Sequence, residues 1–246
     1  MLKNMLSSAL IAGVAAGLIA ALLQFVFVQP VLLHAELYEG GELVHFEGVI
    51  EDHDHEGEDG EEGEGGHSHA HSHGGGDVEG IDWVRDGLSV LFTMLVYGGY
   101  GLLMVAGFVL AEQRGHVLSG PRDGRLWGLA GFVAVQFAPA AGLPPELPGM
   151  AAAEVVPRQI WWLATVAATA IGLWLIAFGR GWGAWAAAIV LIVLPHLIGA
   201  PHPHELTGPT PPELASQFAG RALGVGLAAW AFLGLFAATL WSRDRA

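Results

Sequence analysis

The chain contains no cysteine. That excludes disulfides, thiolate metal ligands and cysteine nucleophiles, and leaves imidazole and carboxylate as the metal-binding chemistry. It is also poor in charge: 14% of its 246 residues are charged, against roughly 25% in an average globular chain. The ten basic residues form no patch, so nucleic acid is not an expected partner. No P-loop pattern is present, and the chain therefore does not itself hydrolyse ATP. No nucleophile motif or His-Glu-x-x-His appears, and the chain is not read as an enzyme.

What is abundant is apolar sequence. Hydrophobic residues make up 53% of the chain, and the mean hydropathy is +0.49. A bilayer core needs about 20 consecutive apolar residues in a helix. Six segments meet or approach that length, at about Met5–Val28, Gly87–Ala111, Leu126–Gly142, Gln159–Phe178, Trp182–Ala200 and Ala222–Trp241. The fourth and fifth are separated only by Gly179-Arg180-Gly181. Together they are too long for one crossing and predict two helices with a tight turn. The first run is longer than a signal-peptide core and lacks a small-residue cleavage site, so it reads as a retained anchor. The expected fold is all-α, a polytopic transmembrane helix bundle of about six spans.

Charge fixes the expected sidedness. With six spans, Lys3, Arg114, Arg122, Arg125, Arg180, Arg243 and Arg245 fall on one side, and Arg85, Arg158 and Arg221 on the other. The positive-inside bias then puts both termini in the cytoplasm. Trp83, Trp161 and Trp162 belong to the outer boundary, and Trp127, Trp182, Trp185 and Trp241 to the inner one. Small-residue pairs such as Gly13/Gly17 and Gly220/Gly224 are candidate points of close helix approach. No Asp, Glu, Lys or Arg lies deep within a span, which argues against a buried carboxylate relay. The polar or soft groups inside are Gln24, Thr93, Met94, Tyr97, Tyr100, Met104, Gln136, Thr165 and Thr169.

The net charge of −14 is concentrated in one place. From His34 to Gly87 there are 17 acidic residues and one basic residue, and the remainder of the chain is close to neutral. The same stretch holds eight of the twelve histidines. The chain thus divides into a first transmembrane helix (1–33), an extracytoplasmic acidic, His-rich loop (34–86, with an insertion at about 51–76), and five further transmembrane helices with short loops (87–246). The insertion buries too little apolar surface to fold and is expected to be disordered. Its histidines alternate: His53 and His55, then His67, His69, His71 and His73. Imidazoles on a flexible chain can wrap a divalent cation, and the carboxylates around them concentrate cations. A solvated low-complexity spacer is the plain alternative.

Two further outer segments carry candidate ligands. One is Leu194-Pro195-His196 followed by Pro201-His202-Pro203-His204-Glu205. Pro195 can kink its helix and free a carbonyl, and an ionisable group such as His196 at membrane depth is a functional candidate. The alternative is a neutral hydrogen-bonded histidine with interfacial loop residues. The other segment is the proline-rich 139–150, where Glu146 is held in a stiff turn. It offers either an outward carboxylate ligand or support for the helix that follows. Glu154 and Arg158 have pairing distance along a helix, although Pro157 makes a continuous helix there doubtful.

Four blocks carry a resemblance: Gln29-Pro30 through Glu39, Ala138-Pro139 through Met150, Arg158-Gln159-x-Trp161-Trp162, and Pro195-His196-x-Ile-Gly-Ala-Pro201-His202-Pro203. Over nearly the whole chain the sequence resembles the CbtA family of cobalt transporter subunits. The resemblance implies a bacterial or archaeal inner-membrane protein, cobalt uptake serving cobalamin synthesis, and a small one-span, His-containing partner known as CbtB. It carries Glu36, Glu146, Arg158, His196 and His202 over as candidates. The family is usually described with five spans, whereas six are read here, and the acidic His tract looks like an insertion.

The expected function is uptake of a divalent transition metal, cobalt first and nickel second, with zinc possible and no permanent cofactor. The expected metal-binding set is His34, Glu36, His53, His55, His67, His69, His71, His73, Glu146, His196, His202, His204 and Glu205. The alternative is a membrane-anchored metal-binding accessory protein that buffers or delivers ions for another permease. An exporter ranks low, because only His116 lies on the cytoplasmic side.

Overall fold

The computed structural model describes residues 2–44, 83–118, 120–205 and 207–243. The expected disorder of 51–76 and the histidines from His45 to His73 lie outside the described residues.

All regular structure among the described residues is helical. Helix α1 (Leu2–Phe27) runs into α2 (Gln29–Glu39) with a break at Val28. The cause is Pro30, which has no N–H to give to the preceding turn. The Val31 N–H turns to the Val28 carbonyl at 3.1 Å and leaves the Phe27 carbonyl without its helical donor. Helix α2 ends at Gly40-Gly41, where Gly41 takes φ +75° and the amides of Glu42 and Leu43 fold back onto the Leu37 carbonyl. Such a left-handed glycine closing a helix satisfies carbonyls that would otherwise be orphaned.

Helix α3 (Trp83–Gln113) precedes a rod in three parts: α4 (Pro121–Phe132), a π-helical turn (Val133–Phe137) and α5 (Ala138–Ala140). A helical hairpin follows, α6 (Val155–Phe178) and α7 (Gly181–Ile198), and α8 (Pro212–Arg243) closes the chain. Among the described residues five helices, α1, α3, α6, α7 and α8, are long and apolar enough to cross a membrane. The rod 121–140 is a further helical segment outside that set. At 1.5 Å per residue it measures about 30 Å, the thickness of a bilayer core.

The π turn leads directly into Pro139, whose missing N–H disturbs the regular ladder. The Ala138 N–H reaches back to the Val133 carbonyl, five residues away. The expected tight turn between the fourth and fifth spans is present, with Gly179 and Arg180 joining α6 to α7 and Gly181 at φ +78°. Pro157 falls in the first turn of α6, where a missing N–H costs little, so the helix is continuous through Arg158. Several helices outrun their apolar runs: α3 begins at Trp83 and α8 at Pro212.

The core is built from small residues. Ala9, Ala12, Ala16 and Ala20 on α1 are fully buried. They pack with Tyr97, Met104, Val105 and Phe108 of α3 and Ala229, Trp230, Leu233 and Ala237 of α8. A Cβ on Gly13 would come within 2.5 Å of the Gly98 Cα, and one on Gly17 within 2.7 Å of the Met94 Cα. The backbones of α1 and α3 therefore touch where Gly13/Gly17 predict they do. Gly220 and Gly224 behave otherwise. A Cβ on either meets nothing within 4 Å, so this pair makes no helix contact among the described residues. The close approach of α8 runs instead through Gly234, against Gly124 and Gly128 of α4. The α6–α7 hairpin joins this four-helix core through α6, which packs on the π turn and α5.

Candidate functional site

One end of the bundle is capped by packed loops. The segment 141–154 lies against 199–211, with the Ala151 N–H donating to the Thr207 carbonyl at 3.0 Å. Gly149 sits beside Glu39 of α2 and Pro209, and Gly142 beside Trp161 and Ala200. Trp161 is buried beneath this cap, and its Nε1–H donates to the Pro195 carbonyl at 3.1 Å. It thus anchors the hairpin internally instead of standing at the lipid boundary. The proline's own carbonyl is the one engaged, and α7 ends three residues later.

Arg221 of α8 closes the cap from the other side. Its Nη1 donates to the Phe27 carbonyl at 3.1 Å, the group that the Val31 N–H leaves without a helical donor. The opposite end of the bundle is held by Trp241 Nε1 donating to Glu112 Oε1 at 2.9 Å.

The candidate ligands gather at the capped end without forming one cluster. His34 is exposed on α2, its ring 5.7 Å from that of Tyr38. Glu36 is exposed one half-turn on. His196 is half-buried, edge-on to Trp161 at 5.9 Å between ring centroids. His202, His204 and Glu205 are exposed on the 199–211 loop. Glu146 is engaged by Arg158, whose Nη2 lies 2.6 Å from its Oε2. Arg158 therefore takes its partner from the proline-rich loop and not from Glu154, which occupies the N-cap position of α6. His53, His55, His67, His69, His71 and His73 lie outside the described residues. Among the described residues, no three His, Asp or Glu side chains are grouped closely enough to hold a metal ion together.

The structure adds a site the sequence did not single out. A cavity of about 230 Å³ lies between the α1–α2 junction and the first turns of α3. Its polar lining is Gln24, Gln29, Glu36, Arg85, Asp86 and Ser89. Water occupies about 30 Å³ per molecule in the liquid, so a divalent ion with part of its hydration shell fits. Arg85 Nε lies 3.6 Å from Asp86 Oδ1 and offsets part of the acidic charge. The Ser89 hydroxyl donates to the Arg85 carbonyl at 2.9 Å. Carboxylate and carboxamide oxygens bind divalent cations without strong selectivity, and imidazole is what favours later transition metals. Glu36 links the two chemistries, since it lines the cavity two residues from His34. The signal for Asp86 was its place in the first turn of the second span, but the acidic run before it hid that position.

Deeper in the bundle, the apolar interior holds a few uncompensated polar atoms. Gln136 stands in the π turn, and its buried Oε1 has no hydrogen-bond partner. It presses on Gly226 of α8, where any side chain would collide with it. One turn along α8, the buried Trp230 Nε1 is also unpartnered. Its ring lies 4.8 Å from that of Tyr100, and Tyr100 meets Tyr97 edge-on at 5.7 Å. Thr169 on α6 is fully buried with an unpartnered hydroxyl. Unsatisfied polar atoms in a dry interior are costly, and π turns recur at functional sites.

No curated protein and no solved structure matches the chain. A family model described as probable cobalt transporter subunit (CbtA) matches residues 2–242. That match covers essentially the whole chain, all helical rods and both loops of the cap, and the chain belongs to the CbtA family.

Proposed function

We propose that this chain is the membrane subunit through which a divalent transition metal is taken up, cobalt first and nickel second. The ion is captured at the capped end, passes the cavity holding Glu36 and Asp86, and descends past Gln136. The single observation that carries this reading is positional. Every described histidine except His116 stands at the capped end, on α2, near the end of α7 or just after it, and α2 also gives Glu36 to a cavity shared with Asp86. In this reading the charge bias of the loops puts that end outside and both termini in the cytoplasm, and the family resemblance implies the plasma membrane of a prokaryote.

In this reading the histidines of 51–76 raise the local ion concentration, and His34, Glu36, His196, His202, His204 and Glu205 receive the ion. Glu146 contributes by positioning Arg158 and the proline-rich loop. Cobalamin synthesis is the destination that the family resemblance implies, with a CbtB-like single-span protein as partner.

Replacing His196 and His202 together with Ala is expected to reduce cobalt accumulation in cells sharply while leaving the protein in the membrane. Unchanged accumulation would overturn their role. The second reading is a metal-binding accessory protein for another permease. The same outer His tract supports it. Loss of metal retention on deleting 51–76, with no transport by the purified chain, would decide for it.

A further inference from the structure

The end of the bundle opposite the cap carries a feature that uptake does not use. An open groove of about 700 Å³ runs between α3, α4 and α6. Its walls are apolar, with Leu103, Leu110, Leu126, Ala130, Ala170 and Trp174 among them. On α3 the lining extends from Tyr100 to Ala111, and on α6 from Val166 to Phe178. At 1.5 Å per residue these stretches measure about 16 to 18 Å. One leaflet of a bilayer core is about 15 Å deep, half of the 30 Å total. On both helices the lined stretch runs from about mid-helix to the end nearest Arg114 and Phe178, a length of about one leaflet.

The mouth at that face is cationic. The Arg114 guanidinium lies over the Trp174 ring, 5.6 Å from its centroid. His116 lines the groove, its ring 4.7 Å from that of Phe178. Arg122 and Arg125 are exposed on the first turns of α4, which supplies one wall. The acidic groups nearby are Asp123, on the lining, and Glu112, which accepts from Trp241.

We infer that this groove is a binding site for one anionic phospholipid of the leaflet at the Arg114 end. An acyl chain fills the groove and the phosphate is held by Arg114 and His116. Depth separates this occupant from a transmembrane helix of another protein. A spanning helix needs a seam through both leaflets, and this groove serves one. Charge separates it from a bulk lipid, because cationic groups at the mouth favour a negatively charged headgroup.

The test uses the delipidated full chain in detergent, mixed with equal amounts of phosphatidylglycerol and phosphatidylcholine and weighed by native mass spectrometry. One retained phosphatidylglycerol per chain is expected, well in excess of phosphatidylcholine. Arg114→Gln is expected to abolish the preference, and Ala170→Phe, which fills the groove, to abolish retention. Arg243→Gln, outside the groove lining, keeps both. Circular dichroism of each variant separates loss of site from loss of fold. Equal retention of the two lipids by the unsubstituted chain overturns the inference. So does a preference that survives Arg114→Gln, or a polypeptide found in the lipid's place.

Discussion

Arg221 and Phe27 are 194 residues apart in sequence and share one hydrogen bond, from the Arg221 guanidinium to the Phe27 carbonyl at 3.1 Å. Pro30 breaks the helix there, and the Val31 N–H, which a regular helix would give to Phe27, turns to the Val28 carbonyl instead. The Arg221 guanidinium then ties the α1–α2 junction, and with it the Glu36 cavity, to α8.

Arg221→Leu is therefore expected to destabilise the chain by about 1 to 2 kcal/mol, the range for a hydrogen bond from a charged donor moderated by partial exposure. Arg221→Lys should recover part of the loss. Thermal unfolding in detergent measures both. Equal stability of the Leu variant and the native chain would show that water serves the Phe27 carbonyl as well as Arg221 does.

The glycines divide into two groups with opposite expected behaviour. At Gly124 and Gly13 a Cβ collides with the backbone of the facing helix, so Gly124→Ala and Gly13→Ala should separate helices and lower the unfolding temperature strongly. At Gly220 and Gly224 a Cβ meets nothing within 4 Å. Ala there should be neutral or stabilising by up to about 1 kcal/mol, the difference in helix propensity. Similar effects at all four positions would contradict the packing described.

Gln136→Leu separates a functional polar group from a structural one. Its Oε1 has no partner in the fold, so removing it should leave stability unchanged or improved, while metal uptake falls. A less stable protein with normal uptake would show that Gln136 is a structural element only.

The two carboxylate sites should respond differently. Glu36→Gln with Asp86→Asn is expected to weaken metal capture by at least about tenfold, since even outer-shell changes around a metal cost that much. Protein level should not change. Glu146→Gln removes the partner of Arg158 and should loosen the cap, seen as faster proteolysis of the 141–154 loop. Isothermal titration with cobalt and limited proteolysis distinguish these outcomes.

Much of this architecture is legible in residue order. Apolar runs identify the spans because lipid demands them, and Gly179-Arg180-Gly181 marks the hairpin that parts α6 from α7. The π turn is not legible, because it depends on how Pro139 is accommodated against α6 and α8. Gly13/Gly17 and Gly220/Gly224 have the same spacing and different fates. Which face of α8 meets a neighbour is set by its rotation, and apolar residues around the whole helix do not encode that. Arg158 illustrates the limit of local spacing: Glu154 is four residues away, but the folded proline-rich loop delivers Glu146. The candidate ligands were readable as types, whereas the cavity shared by Glu36 and Asp86 exists only once the α1–α2 junction and the start of α3 come together.

In the proposed function cobalt crosses the membrane through this chain, entering at its capped end. The most direct measurement is cobalt-dependent quenching of a dye trapped in liposomes that hold the purified chain, with nickel and zinc in parallel. Cobalt is expected to enter, with nickel alone competing, and the Glu36→Gln/Asp86→Asn variant to slow entry severalfold. Tight cobalt binding with no entry of any metal would contradict the proposed function and make the chain an accessory subunit.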